Sequence, residues 1–272
     1  MRFGFLGADK MATAIARGMV ELSHVAVDDI IACDTSAGAR EAFMATTGIS
    51  CCTPVEAWTE GLDVLVLAVK PQYVVDAVQG LPRLGARVLV VSIAAGIGLA
   101  SLQRLFDTDR VVRLMPNTPL MVGKGASAYA CGSAVTSADA TIVESLFGSL
   151  GIVHRIDEEL IDAVTALSGS GPAYVFELVQ ALVEGGAAAG LPYELSMSLA
   201  VQTLAGAAEM LVRGLGTPDE LRDAVTSPGG TTAAGLAVLH DAGFRELVKR
   251  VVVAAQERSV ELGTLTDATT RT

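Results

Sequence analysis

Residues 2–12 read Arg2-Phe3-Gly4-Phe5-Leu6-Gly7-Ala8-Asp9-Lys10-Met11-Ala12, and this stretch decides the fold. Phe3–Leu6 is a short apolar run of the kind that forms a buried strand. Gly7 breaks it, and from Met11 to Leu22 apolar residues recur at helical spacing. Strand, glycine turn and helix together make the setting in which G-x-G-x-x-G/A receives the pyrophosphate of a dinucleotide. Here the second glycine is replaced by Asp9. A carboxylate about 4–5 Å from a phosphate repels it by about 3–4 kcal/mol at an effective dielectric near 20. Its oxygens can also cap the helix and take the amides that a pyrophosphate needs. Lys10 and the helix dipole offset part of that repulsion. Asp34, at the end of the second strand, stands where an acid can bind the adenosine ribose. On this stretch alone, a capped strand–helix turn with no ligand remains an open reading.

Outward from this turn, short apolar runs at Asp29–Cys33, Asp63–Val69, Arg87–Ile93 and Arg110–Met115 alternate with helical patterns. Those patterns cover Ser36–Thr46, Pro54–Glu60, Pro71–Gly80 and Leu99–Phe106. Val64-Leu65-Val66-Leu67-Ala68-Val69 is apolar at every position, which predicts a strand covered on both faces, as in a parallel sheet. Such alternation implies right-handed crossovers and a doubly wound α/β (Rossmann) domain. Gly125–Cys131 and Gly151–Ile156 extend the sheet around a helix at Ser137–Leu150.

After Asp157 strand signals vanish. Helical patterns follow at Glu158–Leu167, Pro172–Gly190, Tyr193–Gly214, Pro218–Thr226, Thr232–Asp241 and Phe244–Gly263. Thr217-Pro218-Asp219-Glu220 supplies an N-cap, an N1 proline and first-turn acids, while Gly190 and Gly263 stand where terminating glycines belong. The expected domains are therefore 1–157, a dinucleotide-binding sheet, and 158–272, an all-helical half. Pro172–Gly190 is apolar nearly all round and must be buried. The expected cover is a second copy of the chain, with burial in its own core as the alternative.

Composition narrows the function. The 272 residues carry a net charge of −11, which argues against nucleic acid and anionic membranes as partners. An anionic small molecule stays allowed, because it responds to local amides and helix ends. Cys33, Cys51, Cys52 and Cys131 fit no zinc spacing and read as core thiols, and no metal site is expected. Residues 1–20 lack a signal peptide pattern, and no stretch gives the roughly eighteen uncharged apolar residues of a membrane span. The expected location is the cytoplasm.

Three stretches end strands at the edge where parallel sheets bind ligands: Ala68-Val69-Lys70-Pro71-Gln72, Val91-Ser92-Ile93-Ala94-Ala95-Gly96 and Arg113-Leu114-Met115-Pro116-Asn117-Thr118-Pro119. Two more lie in the helical half. Ala166-Leu167-Ser168-Gly169-Ser170-Gly171-Pro172 reads as a Gly/Ser turn with free amides before a proline-started helix. Ser227-Pro228-Gly229-Gly230-Thr231-Thr232 is a second such turn. Their amides and hydroxyls could hold a small carboxylate without a cationic side chain. Ordinary helix connections are the alternative for each.

"ALSGSGPAYVF" with "DAVTSPGGTT", preceded by "AVKPQ" and "RLMPNTP", resembles the pyrroline-5-carboxylate reductase family over essentially the whole chain. The resemblance implies a Rossmann domain, a helical dimerisation domain with interleaved partners, and often a ring of dimers. It implies reduction of a cyclic imino acid to proline by NADPH or NADH. Ser168, Ser227, Gly230, Thr231 and Thr232 become candidate substrate-binding residues, with Thr232 the candidate catalytic group at the ring nitrogen. Gly7, Asp9, Lys10, Met11, Asp34, Ala68, Lys70, Pro71 and Asn117 become candidate cofactor-binding residues. Asp9 and Val55 depart from the family pattern, where glycine and asparagine are expected. Asp34 tilts the coenzyme choice toward NADH, since a carboxylate repels a 2′-phosphate, and Arg40 can pull the other way. None of His24, His154 and His240 sits in a motif. Two rivals remain: another small-molecule reductase on this architecture, such as a 3-hydroxyacid dehydrogenase-like enzyme, and a binding protein that has lost catalysis. The first needs an acid/base group for a carbinol proton, and the Pro172–Gly190 helix holds no lysine to serve.

Overall fold

The computed structural model describes residues 1–269 other than 55–57, 83 and 86. Val55 and the middle of the helix expected over Pro54–Glu60 lie outside the described residues. Contacts divide the chain into two compact units, Met1–Ser170 with Val253–Thr272, and Gly171–Val252.

The first unit is built on an eight-stranded sheet ordered β3-β2-β1-β4-β5-β6-β7-β8. Its strands are β1 Phe3–Leu6, β2 Ile30–Cys33, β3 Ser50–Cys52, β4 Val64–Leu67, β5 Leu89–Ser92, β6 Val111–Met115, β7 Gly125–Cys131 and β8 Gly151–Arg155. Neighbours pair in parallel except β6 with β7, which are antiparallel. The fully apolar strands send alternate residues to opposite faces. Phe5, Val64 and Val66 join Ile15, Met19 and Phe43 in one core, whereas Leu6, Leu65 and Leu67 join Ile97 and Leu102 in the other. Helices α1 (Lys10–Glu21), α2 (Ala37–Thr47), α3 (Val74–Gln79), α4 (Leu99–Phe106) and α5 (Ser137–Gly148) supply the covering layers. The chain winds from β1 to β3 on one side and resumes at β4 on the other, so the ligand crevice of such a sheet falls at the carboxyl ends of β1 and β4.

Two features of the sheet differ from expectation. β3 is a strand that the sequence pattern does not signal, with Cys52 beside Cys33 in register. Burial pushes the Cys51 thiol up to about 12 and raises that of Cys33 as well, so both stay protonated like ordinary core groups. β7 runs antiparallel because a 3₁₀ turn, Thr118–Val122, returns the chain from β6 without a crossover helix.

At the edge of the sheet, Asp139 closes a capping box with Thr136 at the start of α5 and accepts from Arg110 Nε at 3.0 Å. The Arg110 bond above all, opposed in part by burial and helped by Thr136, lowers the Asp139 carboxyl to about 2. A lowered folded-state value stabilises the protein above the unfolded carboxylate range, and that contribution is lost as pH falls from about 4 to 2. Asp139→Asn should therefore cost about 2 kcal/mol at pH 7. Urea melts should show the gap to the unsubstituted protein closing toward pH 2.

In the sequence beyond β8 come α6 (Ile161–Val164), a π-helical turn at Thr165–Gly169, α7 (Gly171–Ala188), α8 (Tyr193–Val212), α9 (Pro218–Ala224), α10 (Thr231–Asp241) and α11 (Phe244–Thr269). Val175, Phe176 and Leu182 on α7 are exposed and only Val183 of this helix is buried, although α7 packs against α8. α8 is long and apolar enough to cross a membrane by length and composition, although Glu194 and Glu209 lie within it. α11 does not stop at Gly263 as expected. Gly263 serves close packing instead: a Cβ there would stand 3.2 Å from the Gly96 carbonyl oxygen.

Candidate active site

The site begins where β1 breaks. Gly7 has φ +105°, and a Cβ on it would stand 2.8 Å from the backbone carbon and oxygen of Ala68. Only glycine fits, because the turn is clamped between neighbouring strand ends. Gly7 N–H donates to the Cys33 carbonyl at 2.8 Å, and Ala68 N–H donates to the Leu6 carbonyl at 2.8 Å. This brings Gly7, Asp9, Asp34, Ala68 and Lys70 to the walls of a cleft of about 660 Å³.

Asp9 is the N-cap of α1. Its Oδ1 accepts from the N–H groups of Met11 and Ala12 at 2.9 and 3.0 Å. The aspartate thus occupies two of the amides that make such a helix end an anion site. Asp34 is also engaged: Oδ2 accepts from Ala8 N–H at 2.9 Å and Oδ1 from Ser36 N–H at 2.8 Å. Arg40 Nη1 reaches back over the same strand end, donating to the carbonyls of Asp34 and Thr35. Lys10 faces a separate hollow between α1 and α2, beside Arg17.

Asp9, Ala68 and Lys70, joined by Met11 and Pro71, also line a second cavity of about 350 Å³. Its other walls come from Ile93 to Ala95, from Met115 and Pro116, and from Thr165, Gly169 and Ser170. Thr165 carries no motif of its own, and its only sequence signal is that it sits just before Ser168-Gly169-Ser170. Those residues are not the open turn that their composition suggests. Ser170 N–H donates to the Thr165 carbonyl at 2.8 Å, and Ser168 Oγ turns back to the Val164 carbonyl at 3.2 Å. A π turn of this kind often marks a functional site. Asn117 lines neither cavity; its side chain joins Ser168 O to Ala126 N–H.

In the second unit the expected loop has an open helix end. Gly229 has φ +70°, and Gly230 is an N-cap without a side-chain hydrogen bond to α10. Gly230 N–H donates to the Ser227 carbonyl at 3.0 Å. A Cβ on Gly230 would collide with Ser227 Oγ, so the hydroxyl of Ser227 lies directly against the glycine. Ser227, Gly230, Thr231 and Thr232 are thereby gathered around the first turn of α10, whose leading amides have no side-chain cap.

Comparison with known proteins fixes the lineage. Residues 158–262 match the family "Pyrroline-5-carboxylate reductase dimerisation", and residues 2–96 match "NADP oxidoreductase coenzyme F420-dependent". The pyrroline-5-carboxylate reductase of Pisum sativum is 44% identical over 260 residues, 95% of each chain. The chain belongs to the pyrroline-5-carboxylate reductase family. The Synechocystis pyrroline-5-carboxylate reductase is 38% identical over 97% of this chain and 98% of its own. The crystal structure of Plasmodium falciparum pyrroline carboxylate reductase with NADP bound superposes with a TM-score of 0.87 at 32% identity, covering 97% of this chain and 98% of that one.

Proposed function

We infer that this chain reduces 1-pyrroline-5-carboxylate to proline by hydride transfer from NADPH or NADH, the last step of proline biosynthesis. The observation that carries the reading is full-length similarity to pyrroline-5-carboxylate reductases, at 44% identity over 95% of both chains. The coenzyme cradle fits the group: Gly7 sits where a Cβ would be blocked, beside a cleft of about 660 Å³. Gly7, Met11, Ala68, Lys70 and Pro71 would hold it, with Asp34 at the adenosine end, Lys10 nearby and Asp9 as the opposing charge. When bound, the reduced nicotinamide supplies the hydride.

The chain's own residues then have modest work. The protonated cyclic imine is already electrophilic, so binding and orientation are what remain. Ser227, Gly230 and Thr231 hold the substrate carboxylate, with the Ser227 hydroxyl and the Thr231 N–H as donors, and Thr232 orients the ring nitrogen and helps relay its proton. Ser168 belongs to the same proposed substrate set. Thr232→Ala should lower kcat/KM about tenfold, the worth of one hydrogen bond, and leave coenzyme binding unaltered. Unchanged turnover in steady-state kinetics would remove Thr232 from the mechanism.

We place the coenzyme domain at 1–157 and the substrate and dimerisation domain at 158–272, a division supported by the family match to 158–262. The exposed apolar residues of α7 are covered by a second copy, and the dimers assemble further into a ring in the cytoplasm. Asp34 repels a 2′-phosphate and Arg40 attracts one, so initial rates with both coenzymes measure the balance. The same NAD(P)H oxidation assay tests the reading itself: no turnover of pyrroline-5-carboxylate would leave a binding protein that has lost catalysis.

A further inference from the structure

We propose that Asn117 is a positioning residue of the reduction, the latch that pins the Thr165–Ser170 wall of the second cavity, and not a ligand of the coenzyme. The inference rests on the reductase reading above. Asn117 is 7% exposed and extended, between Pro116 and the 3₁₀ turn Thr118–Val122, whose second residue is Pro119. Oδ1 accepts from Ala126 N–H at 2.9 Å, carrying the β6–β7 ladder one step past Pro116. Nδ2 donates to the Ser168 carbonyl at 3.1 Å. One partner is an obligatory donor and the other an obligatory acceptor, so the amide can face only one way.

The need for this donor is written in the sequence. Where the π turn gives way to α7, the α-helical partner of the Ser168 carbonyl would be the N–H four residues ahead, and that residue is Pro172, which has none. Asn117 supplies the missing proton. By holding Ser168 it holds the turn in which Ser170 N–H bonds the Thr165 carbonyl. Thr165, Gly169 and Ser170 then face the carboxyl ends of the strands across a cavity of about 350 Å³. Met115, two residues before Asn117, packs under the same wall, with its Cε 3.6 Å from where a Gly169 Cβ would be. A small shift of that wall misaligns the reacting atoms beside it, while the larger cleft at Gly7 and Asp34, which the wall does not line, keeps its hold on the rest of the coenzyme.

The test is Asn117→Asp, which keeps the acceptor for Ala126 N–H and sets an oxygen against the Ser168 carbonyl. Amide hydrogen exchange across 165–170 should speed up about fivefold or more. The kcat/KM for pyrroline-5-carboxylate should fall about tenfold, while the Kd for NADPH, read by fluorescence titration, stays within about twofold. Adding Pro172→Ala returns an N–H to the helix and should restore most of the loss. Should Asn117→Asp not fold, Asn117→Ser, which loses the reach without adding charge, is read in the same way. A parallel loss of NADPH affinity would make Asn117 a coenzyme ligand and overturn the proposal. So would full turnover or unchanged exchange in the variant. Wild-type protein without turnover instead overturns the reductase reading, and exchange at 165–170 still decides whether Asn117 pins that wall.

Discussion

Asp9→Gly tightens coenzyme binding about ten- to thirtyfold, the result expected when a repulsion of about 3–4 kcal/mol is roughly halved by solvent around an exposed carboxylate. Two effects act in the same direction. The substitution removes a negative charge from the place where a pyrophosphate would lie. It also frees the Met11 and Ala12 N–H groups, which Asp9 Oδ1 now occupies. The loss to the fold is small, since glycine is itself a tolerable N-cap and costs a few tenths of a kcal/mol relative to aspartate. No strain is relieved either: Asp9 has φ −75°, a conformation open to any residue. Titration of NADPH by fluorescence measures the change, and an equal or weaker affinity would mean that coenzyme and carboxylate share this helix end without conflict. Asp9→Asn divides the two effects, because it keeps a capping oxygen and discards the charge.

Gly7→Ala should do the opposite and more. At φ +105° an alanine is strained wherever it is placed, and here its Cβ would sit 2.8 Å from Ala68 carbon and oxygen and 2.9 Å from Val69 nitrogen. Those atoms are backbone, tied through Ala68 N–H to the Leu6 carbonyl, so they cannot move aside as a flexible side chain would. A stability loss of about 2–4 kcal/mol is expected in urea melts. NADPH affinity should drop about thirtyfold or more, since the turn that aims the loop at the pyrophosphate is displaced. A variant with unchanged midpoint and unchanged affinity would show that the loop adapts and that the glycine requirement is not steric.

The parallel sheet was readable because Val64–Leu67 and its neighbours are apolar at every position, a pattern that only a doubly covered strand needs. The capping role of Asp9 was equally readable from its place one residue before a helix. β3 escaped because Ser50-Cys51-Cys52 is too short to show a period. The antiparallel β7 escaped because strand direction is set by the length and shape of the connection, not by side-chain pattern. Gly263 looked like a terminator, yet its smallness is used sideways, against Gly96. The Ser168–Ser170 segment misled most. Its composition is that of a loop, and the donor that keeps it helical comes from Asn117, 51 positions away in the chain. Short-range pattern reports what a segment prefers; a bond of that span can hold it elsewhere.

One consequence concerns synthesis. The chain leaves its first unit at Ser170 and re-enters it at Val253, where Ser259 Oγ donates to Asp162 at 2.8 Å and Gly263 closes on Gly96. A polypeptide emerging from the ribosome therefore holds an unfinished nucleotide-binding half until the intervening helices have been translated. Arrest before Val253 should yield a nascent species whose sheet is made but still sensitive to protease around Gly96.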